Sequence, residues 1–260
     1  MTTSLSPRTD GGEAASSSAL EPIPFPRLVR VEWAKATDTR AARWLLALVA
    51  LTTAAMVLAP VLAPTSFDQT YASYLRVAAL GLTILLPVVA ILMFTGEWSQ
   101  RSVFTTFTQE PRRVRVLKAK LAVALVLGGG AAVFGGVITA AGLGLAAASG
   151  RTLDANLTVG AITGYLLFVL LNVLAGVALG ALLQSSATAI AASFALPAAC
   201  AVLGTASTLV SDWIDMSTTW NWVLENDWAG HVPQISFSIA FWVGVPLAAG
   251  VVRTVRRDIA

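Results

Sequence analysis

Residues 157–183 read LTVGAITGYLLFVLLNVLAGVALGALL, twenty-seven positions without one charged side chain. A bilayer core takes about 20 apolar residues as helix, because each rises ~1.5 Å across ~30 Å of hydrocarbon. Within the stretch, Gly160-x-x-x-Gly164 and Gly176-x-x-x-Gly180 set small residues one helical turn apart, a spacing that lets neighbouring backbones approach closely in lipid. The stretch reads as a membrane-spanning helix. Five others share its character: Trp44–Pro64, Leu75–Thr95, Leu117–Ser149, Ala187–Val210 and Ile235–Val252. The expected fold is all-α, a polytopic membrane protein with six transmembrane helices.

Two of these stretches carry extra information. Residues 117–149 would make a helix of roughly 50 Å, longer than the bilayer core, so it must tilt, project into water or break at Gly128-Gly129-Gly130. The same stretch has a small residue at every fourth position from Ala124 through Gly128, Ala132, Gly136, Ala140 and Gly144 to Ala148. Only Gln184-Ser185-Ser186 separates the fourth and fifth stretches, which reads as a tight turn between antiparallel helices. Pro87, Pro197 and Pro246 each remove a helical hydrogen bond and are expected to kink their spans.

Composition agrees. The chain has 260 residues, is 56% hydrophobic and 12% charged, and its mean hydropathy is +0.75. A soluble domain averages about 25% charged residues, so there are too few charges here to coat a water-facing globule. One cysteine, Cys200, excludes a disulfide scaffold, and the apolar content excludes a disordered chain.

The few charges are sorted. Basic residues cluster before the first span (Arg8, Arg27, Arg30, Lys35, Arg40, Arg43), between the second and third (Arg101, Arg112, Arg113, Arg115, Lys118, Lys120) and at the end (Arg253, Arg256, Arg257). Those three segments share one side of the membrane and hold fifteen of the seventeen basic residues, Arg76 and Arg151 being the exceptions. The other side holds Asp68, Asp154, Asp212, Asp215, Glu225 and Asp227. The positive-inside rule then makes both termini cytoplasmic in a multi-pass protein of the cell (plasma) membrane. The pI of about 9.4 follows from this sorting. No basic stripe interleaves with aromatics on a globular face, so nucleic acid is not an expected partner. Residues 1–26 lack the apolar core of a signal peptide and read as a disordered cytoplasmic tail.

Several chemistries are missing. No lysine follows a glycine, so a Walker A motif is impossible. One histidine, His231, and one cysteine make no His/Cys metal site, and no Gly-x-Ser-x-Gly is present. The spans are almost free of ionisable groups apart from Arg76 and the border residue Glu97. A proton- or sodium-coupled carrier keeps such groups inside the membrane as its relay. The chain reads as a non-catalytic path or scaffold with no cofactor of its own, whose energy source lies elsewhere.

The connections carry the remaining signals. Residues 27–43 alternate charge with Leu28, Val31 and Trp33 and read as an interfacial helix, in which Glu32 and Lys35 pair at i, i+3. In the second connection, 97–115, Val103, Phe104 and Phe107 share one face of a short helix that Pro111 ends. That element is either an interfacial anchor or a docking helix for a cytoplasmic partner. Asn172, the most polar side chain at membrane depth, makes an interhelical hydrogen bond or contacts a substrate. The small-residue spacings serve packing within the chain or a dimer seam. The external connection 211–234 alternates Trp213, Trp220, Trp222 and Trp228 with acidic residues. It reads as a short helix partly dipping into the outer leaflet, an aromatic belt or an outer gate.

The cytoplasmic motifs resemble the permease subunits of ABC-2 type transporters, notably those of actinobacteria. Glu32-Trp33-Ala34-Lys35, followed by Arg40 and Trp44, is similar to the entry of that family. Glu97, Thr105-Thr106, Pro111-Arg112-Arg113 and Ala119-Lys120 are similar to its border glutamate, coupling helix and third-span entry. Arg101-Ser102 departs from it, standing where the family has Gly followed by Thr or a similar residue. The resemblance, over residues 27–257, implies a six-span permease domain (44–257) within an ABC exporter. It implies a separate ATPase subunit carrying ATP and Mg, and a second permease copy or paralogue. Glu97, Arg101, Val103, Phe104, Phe107, Arg112 and Arg113 would couple the chain to that ATPase. The cargo would be a hydrophobic drug, lipid or peptide. The alternative is a membrane sensor or immunity protein that binds lipid or peptide without transport. A membrane enzyme would need polar side chains clustered at one depth, which the spans lack.

Overall fold

The computed structural model describes residues 23–99, 113–154 and 156–256. Among them the chain is all-helical, with six helices long and apolar enough to cross a membrane. It is a membrane protein. Its elements are α1 (Phe25–Thr37), α2 (Arg40–Leu62), α3 (Tyr71–Ser99), α4 (Arg113–Ala148), α5 (Val159–Leu183), α6 (Ser186–Gly204), α7 (Met216–Leu224) and α8 (Val232–Arg256).

The interfacial segment expected over 27–43 is two helices. Pro24 and Pro26 open α1, where a missing N–H costs nothing. The break comes at Asp38, and Thr39 caps α2 by accepting the Ala42 N–H at 3.1 Å. Arg40 and Arg43 therefore belong to the first span, and α1 begins at Phe25, inside the segment read as a tail. α4 runs unbroken through Gly128-Gly129-Gly130 for 36 residues, about 54 Å. Its basic first turns lie against α1. Gln184 turns α5 into α6 in the left-handed conformation (φ 54°), its N–H bonded to the Gly180 carbonyl at 3.1 Å. The helices continue through Pro87 and Pro197, while a wider π turn at Ala240–Gly244 precedes Pro246 in α8.

The even number of crossings brings both described ends of the chain to one end of the bundle. There Arg115 donates to the Ile23 carbonyl at 2.6 Å and Arg113 to the Thr254 carbonyl at 2.9 Å. At the far end the 63–70 and 149–158 connections pair through Tyr71 N–H to Asp154 O (3.0 Å) and Asp154 N–H to Gln69 O (3.1 Å). Arg76, an exception to the charge sorting, lies at this far end and pairs with Glu225 at 3.1 Å.

α3 and α5 form the enclosed centre, and α6 is the least buried span. Lipid supplies no hydrophobic drive between helices, so the contacts rely on small residues and local polar links. Gly160 meets the Asn226 side chain, Gly164 the Val223 and Leu224 carbonyls, Gly176 the backbone at Pro87, and Gly180 Ile91 and Phe94. All four face other elements of this same chain. Hydroxyls add cross-links: Tyr165 donates to Ala132 O at 2.8 Å, and Thr95 and Ser186 meet at 2.7 Å.

Candidate functional site

Two constellations stand out, one at the end of the bundle that carries both described chain ends and one near its middle. The first begins with Glu32. The amphipathic turn of α1 points this carboxylate inward, where it is 3% exposed. Lys35, one turn on, reaches Oε1 at 2.8 Å, as its spacing predicts. Lys120, from the second turn of α4, reaches Oε2 at 2.6 Å and is itself 3% exposed. Lys120 also donates to the Met93 carbonyl of α3 at 3.3 Å. One buried ion pair thus ties α1 to the feet of α3 and α4, at either end of the 100–112 connection. Both groups are desolvated, so each depends on the other.

The residues expected to couple this end to a partner are only partly described. Glu97 lies on the last turn of α3; its side chain, together with Arg101, Val103, Phe104, Phe107 and Arg112, lies outside the described residues. Arg113 uses its guanidinium inside the chain, on the last carbonyls of α8, where a cation also complements the helix dipole. Trp33 is 40% exposed, and Arg40 projects from the first turn of α2.

The second constellation is a cavity of about 270 Å³ between α3, α5, α6, α7 and α8. Pro87, Asn172, Gly176 and Pro197 form its sides, and Ser193 adds a hydroxyl. Met216, Ser217, Trp220 and Asn221, on one face of α7, form its roof. Asp215 holds that roof in place by capping α7, accepting the Ser217 N–H at 3.1 Å and the Ser217 and Thr218 hydroxyls at 2.6 and 2.8 Å. Close contact between Gly164 and the last carbonyls of α7 seats it on α5.

The three tryptophans expected as a gate therefore separate. Trp220 is completely buried at the cavity wall, Trp222 stacks on His231 at 4.0 Å, and Trp213 stands edge-on to Phe237 at 5.8 Å, 37% exposed. Among the described residues Asn172 makes no hydrogen bond to another helix. Its amide donates to Phe168 O, one turn back in α5, at 2.8 Å. Among the described residues nothing donates to its carbonyl oxygen, and the Trp220 indole N–H is buried without an acceptor. The cavity thus brings the spare acceptor of Asn172 to walls that carry no charged side chain and mix apolar residues with the polar groups of Ser193, Ser217 and Asn221. Such a lining suits a neutral guest with a hydrogen-bonding group. The sequence signals Asn172, Gly176, Trp220 and the two prolines separately. Ser193, Ser217 and Asn221 carry no signal, being common residues whose convergence depends on helix neighbours.

Because Asn172 binds only its own helix, Asn172→Leu is expected to leave stability within about 1 kcal/mol of the native chain. Thermal melting in detergent measures this, and a loss above ~2 kcal/mol would show an interhelical role instead.

No family model matches the chain, and neither curated proteins nor solved structures match it.

Proposed function

We propose that the chain is the membrane-spanning subunit of an ABC exporter, lying in the cell membrane with both termini cytoplasmic. It provides the path for a neutral hydrophobic or amphipathic cargo, and a separate ATPase supplies the energy. The observation that carries this reading is the Glu32–Lys120 pair. The two span-entry motifs that resemble ABC-2 permeases, Glu32-x-x-Lys35 and Ala119-Lys120, meet in one buried contact. A force applied to the connection between α3 and α4 by a partner below would reach α1, α3 and α4 together. The uncharged mid-bundle cavity supports a cargo that sheds no charge on entering lipid depth. The exposed apolar faces of α2, α4 and α6 leave room for a second permease copy beside the surrounding lipid.

Mild-detergent purification of the full chain from its native membrane tests the reading. A Walker-A ATPase is expected to co-purify in stoichiometric amount. The double substitution Phe104→Ala/Phe107→Ala is expected to cut export at least tenfold while ATP hydrolysis by the partner continues. A stable oligomer without an ATPase would overturn the proposal and favour a sensor or immunity protein.

A further inference from the structure

The mid-bundle cavity has a polarity that its residue types do not announce. Three hydroxyls line it, and each spends its hydrogen inside the chain: Thr83 on Leu80 O at 3.2 Å, Ser193 on Ile190 O at 2.8 Å and Ser217 on the Asp215 carboxylate at 2.6 Å. Only their lone pairs remain for a guest. Trp242 spends its indole N–H on Ile214 O at 2.7 Å, and the Trp220 N–H is enclosed in protein. Asn172, 9% exposed, adds its carbonyl oxygen, since its amide is tied back to Phe168 O. Asn221 keeps both donor and acceptor free among the described residues. The wall is therefore rich in lone pairs and poor in free hydrogens, and no charged side chain lines it.

Four of the lining residues are exposed: Leu80 and Ile84 on α3, Phe194 on α6, and Ser217 in the roof. The first three are apolar and belong to two membrane spans. The cavity thus opens sideways between α3 and α6, toward hydrocarbon. A guest arriving from hydrocarbon has already left its water behind. Its donor gains a partner on the wall without a desolvation cost, whereas a guest that only accepts finds few hydrogens to take.

We propose that the cavity binds an uncharged amphiphile bearing a hydrogen-bond donor, such as an alcohol, a phenol or an amide, which enters from the bilayer between α3 and α6. The donor lies on the Asn172 carbonyl oxygen, and the apolar remainder runs toward Ile84 and Phe194. The guest's role as cargo rests on the export reading, whereas its binding is a property of this chain alone. A chain that binds the guest yet brings no ATPase with it would overturn the export reading and leave the site standing.

The full chain in lipid nanodiscs, loaded with radiolabelled para-hexylphenol or its methyl ether para-hexylanisole, tests it. Bound probe is the excess over protein-free nanodiscs. The two probes share an apolar body and are both uncharged at neutral pH, but only the phenol donates. The native chain should half-saturate with the phenol at about fivefold lower bilayer mole fraction than with the ether. Asn172→Leu should erase that difference. Ile84→Trp narrows the mouth and should weaken both probes, while Val137→Trp, at an exposed position of α4 away from the cavity, should weaken neither. No saturable excess, or equal binding of the two probes to the native chain, would overturn the proposal. A preference that survives Asn172→Leu would also overturn it, since the acceptor would then lie elsewhere. Equal behaviour of the Ile84 and Val137 variants would overturn entry between α3 and α6. Size exclusion of each variant separates lost binding from lost fold.

Discussion

Replacing Lys120 by Met is expected to destabilise the protein by about 3–5 kcal/mol. Met keeps the length and volume of the side chain, so packing is nearly conserved. What it removes is the partner of a carboxylate that is 3% exposed. Lys35 remains at 2.8 Å, but its side chain is 41% exposed and leaves Oε2 without its buried cation. The double variant Lys120→Met/Glu32→Leu removes both desolvated charges and should recover most of the loss, because a buried pair replaced by apolar groups of similar volume is often near neutral. Thermal unfolding in detergent, followed by the monodisperse fraction on size exclusion, reads both effects. A Lys120→Met protein as stable as the native chain would show that the pair contributes nothing. A double variant no better than the single would place the loss in packing instead.

The second large effect is expected from Gly176→Val. A β-carbon there would fall 2.5 Å from the Pro87 carbonyl oxygen and 3.0 Å from its α-carbon. The obstacle is backbone on the central helix α3, which cannot rotate away as a side chain can. Overpacking of this kind costs about 1–3 kcal/mol or more, and α3 against α5 is the most enclosed contact in the bundle. Gly136→Val is the matched control, since a β-carbon at Gly136 meets nothing within 4 Å. That change should stay within about 0.5 kcal/mol. Equal losses from the two would place another helix against the Gly136 face and overturn the assignment.

The contrast between these glycines shows what a spacing pattern can and cannot say. The small residues of α4 recur at every fourth position, but an α-helix has 3.6 residues per turn, so a strict i+4 row rotates by about 40° at each step. Ala124, Gly128 and Ala132 lie on the buried face, and the row then leaves it. Burial passes instead to Gly135, Thr139, Gly142 and Ala146, which keep the true helical period. Gly136, Ala140 and Gly144 are small without being enclosed.

The α7 region is a related case. Acidic residues alternating with tryptophan suggest a surface element, yet Trp220, Thr219 and Val223 are buried. Two contacts that no local pattern announces draw that face inward: the close approach at Gly164, and the 2.7 Å bond between the Thr219 and Ser238 hydroxyls.

By itself, the sequence determined the six spans and the short turn at Gln184. It also placed the Glu32–Lys35 pair. These are local matters: a span needs only enough apolar residues in a row, and an i, i+3 pair needs only a helix. Tertiary structure alone decided that Lys120, 88 residues away, takes the other oxygen of Glu32. It also decided that Asn172 and Trp220 share a cavity and that α1 and α2 break apart. The physical reason is the solvent. In water, hydrophobicity distinguishes inside from outside, and a helix face can be read from its period. In lipid both faces of a span are apolar, so only close packing and the few desolvated polar groups select which helices become neighbours.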